Sequence, residues 1–315
     1  MLPITRFVIS FCCSAVGLLF LFFFGGPIEG RAQQFPVFQG QPFVTNYSAL
    51  DYRAGIQNFD IVQDDMGRVF VANNLGLLEF DGKNWTRYGL NNTKVRSAFV
   101  GDQDRIYVGS QGDFGFLHPD ELGQLTYVSL ADSLPEEVRG FDETWKIFGV
   151  GERIYFCTFN RIYAYDGLGL KVIDTKKRLD IPFQLGERLY TQILGEGLVE
   201  VTDATLSPIP GGDFYKDKRV SNILPYDKDK WLVSTFSQGL FLYDGRSSIP
   251  FVMKGDFWRN EFLINYSLRL NKGNIALATQ NAGLFVIDRE GNLLTHLDKE
   301  AGLMDLTINY VFEDK

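Results

Sequence analysis

A repeat of about 40 residues recurs six times along this chain, and it restricts the fold more than any other feature. Its clearest copies are Gly76-Leu77-Leu78-Glu79-Phe80-Asp81-Gly82 and Gly239-Leu240-Phe241-Leu242-Tyr243-Asp244-Gly245. Weaker copies begin at Gly115, Arg161, Gly197 and Gly283, which makes the successive steps 39, 46, 36, 42 and 44 residues. A period in this range, built from strand-like units, predicts the blades of a β-propeller.

A second landmark keeps the same phase as the first. A short β-rich run follows a turn six times, 8 to 10 residues before each copy above, and it opens at Arg68, Arg105, Arg153, Arg188, Lys230 and Asn274. Two series in phase over six copies predict an all-β protein. We expect residues 58–315 to form a propeller, seven-bladed when intact, with six full blades and a truncated seventh in this chain.

The first blade illustrates the predicted strand pattern. We expect strands at Phe59–Gln63, Arg68–Ala72, Leu77–Phe80 and Trp85–Tyr88, separated by short segments rich in Gly, Asp and Asn. The longest insertion, 132–143, predicts a short helix at Pro135-Glu136-Glu137. The recurring glycines and aspartates are predicted to serve the fold as turn and close-contact positions: Gly76, Asp81, Gly82, Gly115, Gly197, Gly239, Asp244, Gly245 and Gly283.

The two ends of the propeller region also carry information. Thr307–Lys315 resembles the first strand and turn of a further blade, and a step of 42 from Asn274 places the next strand opener at 316. We therefore expect the chain to stop inside a seventh blade. Residues 33–57 are a polar and aromatic lead-in that can supply a closing strand in the intact protein, because an open blade edge leaves backbone groups unpaired.

The first 32 residues have the composition of an export signal. Arg6 precedes an apolar stretch from Phe7 to Phe24, and small and polar residues lead to a cleavage site after Ala32. The apolar stretch is long for a signal peptide, so an uncleaved membrane anchor is the alternative. Both readings place the propeller outside the cytoplasm, in the periplasm, because Arg6 favours an inward-facing N-terminus.

Charge and composition exclude several classes of function. Residues 33–315 carry 29 basic and 38 acidic side chains, and a net charge of −9 argues against binding nucleic acid through its phosphates. Cys157 is the only cysteine after the apolar stretch, and His118 and His296 lie in different repeats. We therefore predict a buried structural thiol at Cys157, no metal site and no cofactor.

No catalytic residue is assigned from the sequence. The acid pairs Asp64/Asp65, Asp102/Asp104 and Asp227/Asp229 occupy one recurring turn position, so they are predicted to be solvated turns rather than a general acid and base. Trp231 lies within a predicted strand and is expected to belong to the hydrophobic core. Trp258, in a long connection between blades, is the one residue proposed for a surface contact with a ligand.

Taken in series, these stretches resemble the two-component regulator propeller repeat of bacterial periplasmic sensor proteins. The resemblance covers about residues 40–315, and the stretches that carry it are Gln57 to Asp64 with Gly67, Asn73 to Gly82 with Trp85, Val95-Arg96-Ser97, Tyr107-Val108-Gly109, Gly112 to Leu117, Trp145 to Phe148, and Gly239 to Gly245. The repeats at Arg161 and Gly197 depart from the pattern of the family.

The resemblance implies the sensor portion of a transmembrane regulator of the Bacteroidetes type. Members typically continue into a β-sandwich with a triple-tyrosine motif, a membrane helix and a cytoplasmic output such as a histidine kinase or a helix-turn-helix regulator. By the same resemblance the ligand is an oligosaccharide and the full-length protein forms a homodimer. The portion present is expected not to be an enzyme. The alternatives are a secreted carbohydrate-active propeller enzyme and a protein-interaction scaffold.

Overall fold

The computed structural model describes residues 43–90, 94–102, 105–202, 205–259 and 261–314. The predicted export signal at 1–32 and the first part of the lead-in lie outside these residues. Within them the chain forms six four-stranded antiparallel sheets, one after another, and strands adjacent in each sheet are consecutive in sequence. This meander is the structure of a propeller blade, so the prediction of an all-β propeller with six full blades is confirmed.

The strands are numbered in chain order, four to a blade. Blade 1 contains β1 (Asn58–Gln63), β2 (Val69–Asn73), β3 (Gly76–Phe80) and β4 (Trp85–Tyr88). Blade 2 contains β5 (Val95–Val100), β6 (Ile106–Ser110), β7 (Asp113–Pro119) and β8 (Leu125–Ser129). Blade 3 contains β9 (Lys146–Val150), β10 (Arg153–Cys157), β11 (Arg161–Tyr165) and β12 (Leu170–Asp174).

Blade 4 contains β13 (Phe183–Leu185), β14 (Arg188–Ile193), β15 (Gly197–Val201) and β16 (Leu206–Pro208). Blade 5 contains β17 (Val220–Pro225), β18 (Trp231–Thr235), β19 (Gly239–Tyr243) and β20 (Ser248–Phe251). Blade 6 contains β21 (Ile264–Arg269), β22 (Ile275–Thr279), β23 (Leu284–Ile287) and β24 (Leu293–Leu297). Two one-turn helices are α1 (Ala49–Tyr52) and α2 (Glu136–Arg139).

The predicted elements agree closely with these bounds. Each of the four strands predicted for blade 1 lies within one residue of its observed position, and α2 overlaps the helix expected at Pro135-Glu136-Glu137. The repeats at Arg161 and Gly197 also form complete blades despite their irregular sequences. A seventh sheet does not occur among the described residues, so the seven-bladed form stays a prediction.

The first strand of each blade lies innermost. First strands of successive blades contact one another, as β1 does β5 and β17 does β21, while the fourth strands lie farthest out. The second strands are the most deeply buried, since every residue of β6 and of β22 is buried. Such short, uniformly apolar runs bounded by turns are what a strand covered on both faces requires.

The hydrophobic cores lie between blades rather than within them. Phe70 and Leu77 of blade 1 pack with Val95, Ile106 and Val108 of blade 2 in one buried cluster. Burying a side chain of this size contributes about 1.5–3 kcal/mol to the free energy of unfolding. A blade cannot bury its faces alone, so stacking of neighbours is what makes each repeat stable.

The recurring aspartates make the turns between third and fourth strands. The Asp81 carboxylate accepts hydrogen bonds from the backbone N–H groups of Lys83 (2.8 Å) and Asn84 (2.6 Å). Asp244 does the same for Arg246 (3.0 Å) and Ser247 (2.8 Å). These backbone hydrogen bonds hold the pKa of both carboxyls below its usual value.

The acid pairs lie in the turns between first and second strands, where they were expected. Asp65, Asp102, Asp227 and Asp229 are exposed, whereas Asp104 is outside the described residues. The expectation of a solvated turn is wrong for Asp64, which is fully buried. Its carboxylate accepts hydrogen bonds from the backbone of Arg68 (2.8 Å) and forms an ion pair with the Arg68 Nε (2.7 Å), which compensates for the loss of water.

Candidate functional site

A channel runs through the centre of the ring of blades. Residues from the first strand of every blade, or immediately before it, line a cavity of about 540 Å³. The described segment 306–314 completes the lining through Asn309 and Tyr310. Because the four strands of a blade alternate in direction, every first strand begins at the same end of the channel. We call that end the mouth.

Four polar side chains meet inside the channel, and we call Asp60, Lys146, Tyr266 and Tyr310 the channel cluster. The Lys146 Nζ of blade 3 lies 3.2 Å from the Asp60 Oδ2 of blade 1. The same ammonium lies 4.4 Å from the ring centroid of Tyr310 and 5.6 Å from that of Tyr266. The two tyrosine rings pack 4.3 Å apart, and their hydroxyls are joined by a hydrogen bond of 3.3 Å.

The channel cluster is largely removed from water. Only 4% of the Asp60 side chain and 16% of the Lys146 side chain are exposed. Burial raises the pKa of Asp60, and the nearby Lys146 ammonium opposes that rise. Burial also raises the pKa of Tyr310 well above its ordinary value, so this phenol is neutral at physiological pH. The cluster is therefore a buried ion pair packed on two aromatic rings.

The segment 306–314 lies between the first strands of blade 6 and blade 1. The side-chain amide of Asn265 in β21 donates to the backbone carbonyl of Ile308 (3.1 Å). The amide of Asn309 donates in turn to the carbonyl of Asn58 in β1 (3.5 Å). Each asparagine side chain thus donates a hydrogen bond to an equivalent backbone carbonyl in the segment that follows it around the ring. Segment 306–314 accepts such a bond from blade 6 and donates one to blade 1.

A simple sequence signal accompanies this arrangement and escaped the sequence analysis. The tripeptide Ile264-Asn265-Tyr266 at the start of β21 recurs as Ile308-Asn309-Tyr310 after a step of 44 residues. Its asparagine makes the contact to the next segment, and its tyrosine enters the channel cluster. The repetition could identify the asparagine and the tyrosine of each copy from the sequence. It could not identify the ion pair on which the tyrosines pack.

Three aromatic rings and two guanidinium groups stack in a row along one side of the mouth. The Arg96 Cζ lies 4.0 Å from the ring centroid of Phe59 and 4.8 Å from that of Trp145. The ring centroids of Trp145 and Phe159 lie 5.0 Å apart. The Arg178 Cζ lies 4.3 Å from the ring centroid of Phe159. These five side chains form a continuous row from blade 1 to the connection before blade 4, which we call the cation–aromatic stack.

The positions of these residues follow from the topology. Phe59 and Arg96 are the second residues of β1 and β5, and Trp145 immediately precedes β9. Phe159 lies in the turn between β10 and β11, and Arg178 lies in the connection to blade 4. All five are therefore at the mouth, although 119 residues separate the first from the last. Sequence reasoning singled out none of them as a ligand contact, because neighbours on a ring of blades are far apart in the chain.

Two members of the stack have buried hydrogen-bond donors without a partner in the described part of the chain. These are the Nε of Arg96 and the Nε1 of Trp145. The terminal nitrogen of Arg96 is engaged, since its Nη2 lies 2.8 Å from the Glu143 carboxylate. Buried donors without partners are uncommon in folded proteins, so the stack has hydrogen-bonding capacity that the fold does not use.

The tryptophans and the single cysteine predicted from the sequence lie outside the channel. Trp258 packs against Phe262 and Phe285, both at 5.4 Å between ring centroids, on the blade 5–6 core. Trp231 lies in β18 and packs 5.0 Å from Tyr243. Cys157 is fully buried and unpaired, and burial raises the pKa of its thiol, as a structural role requires.

A second cavity of about 570 Å³ lies at the end opposite the mouth, between the turns of blades 1 to 3. Asp65, Asp102, Glu152 and Asp166 are among its lining residues. Within the described residues no group of three His, Cys, Asp or Glu side chains is arranged to hold a metal ion. The charged residues that line this second cavity are therefore all acidic.

No helix among the described residues combines the length and the hydrophobicity of a membrane-spanning segment.

Comparison with known proteins gives structural relatives only. No protein-family model matches the chain, and no curated protein matches its sequence. Among solved structures it is similar to the extracellular domain assigned to the hybrid two component system BT4673 from B. thetaiotaomicron, with a TM-score of 0.63 and 18% identity over 82% of this chain and 35% of that one. A second structure of that domain, assigned to a one component system, gives a TM-score of 0.62 and 18% identity over 82% of this chain and 36% of that one.

Enzymes share the same fold. Virginiamycin B lyase from Staphylococcus aureus matches with a TM-score of 0.55 and 12% identity over 75% of this chain and 83% of that one. At such identities the likeness shows the fold alone. The chain spans about a third of the length of the BT4673 domains. The resemblance to propellers of two-component regulators that the repeats predicted is confirmed at the level of the fold.

Proposed function

We propose that this chain is the extracytoplasmic ligand-sensing propeller of a transmembrane signal-transduction regulator. The observation that carries the proposal is the channel mouth, where Phe59, Arg96 and Trp145 of the cation–aromatic stack line an open cavity of about 540 Å³. A concave site with apolar walls and a few converging polar groups is the usual form of a small-molecule site. The likeness to extracellular domains of BT4673 and the apolar N-terminal stretch support placement outside the cytoplasm, in the periplasm.

In this proposal the intact ring has seven blades, and 306–314 is the innermost strand of the seventh. The support is the pair of equivalent contacts that Asn265 and Asn309 make with the following segment. Ligand in the channel would contact Tyr310 and so shift the position of this strand, which is a route by which occupancy reaches an output domain.

By resemblance the ligand is an oligosaccharide, and aromatic faces such as those of Phe159 and Trp145 suit the apolar faces of sugar rings. The test is calorimetric titration of the protein with a panel of oligosaccharides, followed by the same titration on Trp145→Ala. We expect binding at the mouth and a loss of about tenfold or more in affinity, as for a well-packed aromatic contact.

Trp258→Ala is the matched control, because Trp258 lies outside the channel and is also the surface contact proposed from the sequence. Unchanged affinity in Trp258→Ala with loss in Trp145→Ala places the ligand at the mouth. The reverse result would rule out the mouth and favour the connection between blades 5 and 6. Both variants are first checked for a native circular dichroism spectrum and cooperative unfolding above the titration temperature, so that loss of binding is not loss of fold.

A carbohydrate-active enzyme is the second candidate, favoured by one observation. The channel cluster brings a carboxylate, an ammonium and two phenols together, and these are groups that serve as general acids and bases. Fold relatives include a lyase. Incubation of the oligosaccharide that binds, with chromatographic analysis for shorter or unsaturated products, separates the two functions. We expect the ligand to be recovered intact.

A further inference from the structure

The mouth is more basic than the rest of the protein on the side of blades 3 to 5. The connection before blade 4 contains Lys176, Lys177 and Arg178 in succession, in a chain whose residues 33–315 carry a net charge of −9. The connection before blade 5 adds Arg219, whose side chain is 57% exposed. Two of these cations are partly neutralised, because Lys177 pairs with Glu196 at 2.7 Å and Arg219 lies 3.5 Å from Asp180.

Arg178 differs from Arg96 and Arg219, the two arginines that line the cavity. It is exposed, and no acidic side chain lies within ion-pair distance of it among the described residues, whereas Arg96 pairs with Glu143 and Arg219 with Asp180. Its guanidinium stands over the ring of Phe159 at 4.3 Å. Stacking uses the face of a guanidinium and leaves its N–H donors free at the edge, in the fork that matches a carboxylate or a sulfate.

Hydrogen bonds fix the backbone of the two connections that contain Arg178 and Arg219. The side chain of Gln192, which is fully buried, donates to the carbonyls of Tyr215 (2.7 Å) and Lys218 (2.6 Å) and accepts from the N–H of Val220 (2.9 Å). On the other connection, the backbone N–H of Leu179 donates to the carbonyl of Phe159 (2.7 Å), next to the ring under Arg178. The cation and the ring are thus fixed to the same turn.

We propose that the mouth selects a ligand with an anionic group on or beside an apolar ring, an acidic saccharide bearing a carboxylate or a sulfate ester. The anionic group binds the free edge of Arg178, and the ring packs on the aromatic members of the stack. This inference rests on the proposed function and adds the charge of its ligand. Because the two arginines that line the cavity already have acidic partners, the site suits one anionic group rather than a dense polyanion.

The experiment uses pairs of ligands that differ in one kind of anionic group. Calorimetric titrations compare tetragalacturonate with its neutral methyl ester, and a chondroitin sulfate tetrasaccharide with its desulfated form, which keeps its carboxylates. In one pair we expect the member that has the anionic group to bind about tenfold or more tightly than the member that lacks it, the scale of one charge-assisted contact. That preference should weaken as salt is raised from about 50 to about 300 mM, because the contact lies at the surface. A preference within the galacturonate pair identifies a carboxylate, and a preference within the chondroitin pair identifies a sulfate ester.

Variants at the mouth assign the preference to a residue. R178Q should abolish the difference between charged and neutral ligands, and R178K should restore part of it, because an ammonium keeps the charge but not the fork. K272Q is the control, since Lys272 is an exposed cation in the turn between β21 and β22, at the end away from the mouth. It should behave like the original protein.

Each result decides between the two levels of the proposal. Neutral saccharides that bind as well as acidic ones, with affinity lost in Trp145→Ala but not in R178Q, would keep the sensing function and overturn the anionic selectivity. Failure of every saccharide to bind the folded protein would overturn both. An anionic preference that survives R178Q would also overturn the assignment to Arg178.

Discussion

At the scale of single residues, the ion pair inside the channel is the contact with the largest consequence. Asp60 and Lys146 come from blades 1 and 3 and meet where little water reaches them. Breaking such a pair leaves one charge buried without a counter-ion, which costs far more than an exposed pair contributes. The pair therefore fixes the relative position of two blades, whatever its net contribution to stability.

Removing the cation should make stability depend on pH in an unusual direction. Lys146→Met leaves Asp60 alone, and we expect a loss of about 3 kcal/mol near neutral pH. Burial already raises the pKa of Asp60, and without the ammonium it rises further. A carboxyl with a raised folded-state pKa binds protons more tightly in the native state, so stability falls as pH rises above about 4.

Urea unfolding of Lys146→Met at several pH values measures this slope. The control is the double variant Lys146→Met/Asp60→Asn, which contains no ionisable group at either position and should lose the extra pH dependence. Equal slopes in the single and double variants would show that Asp60 is not the group responsible.

The exposed turn aspartates should act in the opposite sense. Backbone hydrogen bonds lower the pKa of Asp244, so its contribution to stability is present above the unfolded-state value of about 3.9 and is lost as pH falls through the folded value. Asp244→Ala should therefore be less stable than the original protein at neutral pH and nearly equal to it at about pH 2. Thermal unfolding across this range tests the expectation.

Asp229→Ala is the control for that series. Asp229 is an exposed turn aspartate whose carboxylate accepts no hydrogen bond from the described residues, in contrast with Asp244. Its replacement should leave the pH profile of the melting temperature unchanged. A matching loss in both variants would mean that general surface charge, rather than the turn, governs acid stability.

At the scale of elements, glycines at one repeat position have different surroundings. Gly239 and Gly283 both follow the second strand of a blade with φ of 80° and 77°. Each carbonyl accepts a hydrogen bond from a threonine hydroxyl, Thr235 (2.8 Å) or Thr279 (2.7 Å). A Cβ on Gly239 would meet open space, whereas one on Gly283 would collide with the carbonyl of Leu297.

This pair separates the cost of backbone strain from that of steric overlap. Gly239→Ala should lose about 1–2 kcal/mol, because a left-handed backbone disfavours any Cβ. Gly283→Ala carries the same strain and must also displace the backbone at Leu297, so we expect a further loss of about 1–3 kcal/mol. Chemical denaturation of the two variants measures the difference, and equal losses would mean that blade 6 yields to the added methyl group.

Elements were the most predictable part of this molecule. Strands of blade 1 and the helix near Pro135 follow from local patterns, since turn residues and short apolar runs act within a few positions. The burial of Asp64 could not be read in this way, because its turn resembles the exposed turn at Asp227 in sequence. What differs is Arg68, whose side chain folds back over the carboxylate.

At the scale of the whole molecule, prediction was limited by distance along the chain. Repeats indicate how many blades there are, but not which residues face one another across the channel. Lys146 and Tyr310 are 164 residues apart, and only the closed ring brings them together. The candidate ligand site was therefore missed at Arg96, Trp145 and Arg178, while the residue singled out from the sequence, Trp258, lies elsewhere.

Closure of the ring should depend on Tyr310. Tyr310→Ala removes the ring that packs on Tyr266 and Lys146, and we expect a loss of about 2–3 kcal/mol, with faster amide exchange in β1 and β21. Tyr310→Phe keeps the ring and loses only the hydroxyl contact, so about 1 kcal/mol is expected. Hydrogen exchange followed by mass spectrometry measures both effects, and exchange confined to residues 306–314 would show that these blades hold together without the segment.

The seam at 306–314 also has a mechanical consequence. Tension applied to the chain beyond Asp314 acts first on the hydrogen bond from Gln63 to Asp314 (2.5 Å) and on that from the Asn271 N–H to Glu313 (2.6 Å). Only when these yield does the load reach Tyr310 in the channel and then Asn309. The contacts of this segment therefore break in sequence from its C-terminal end inward. A ligand in contact with Tyr310 would raise the force needed to detach the segment from blades 1 and 6.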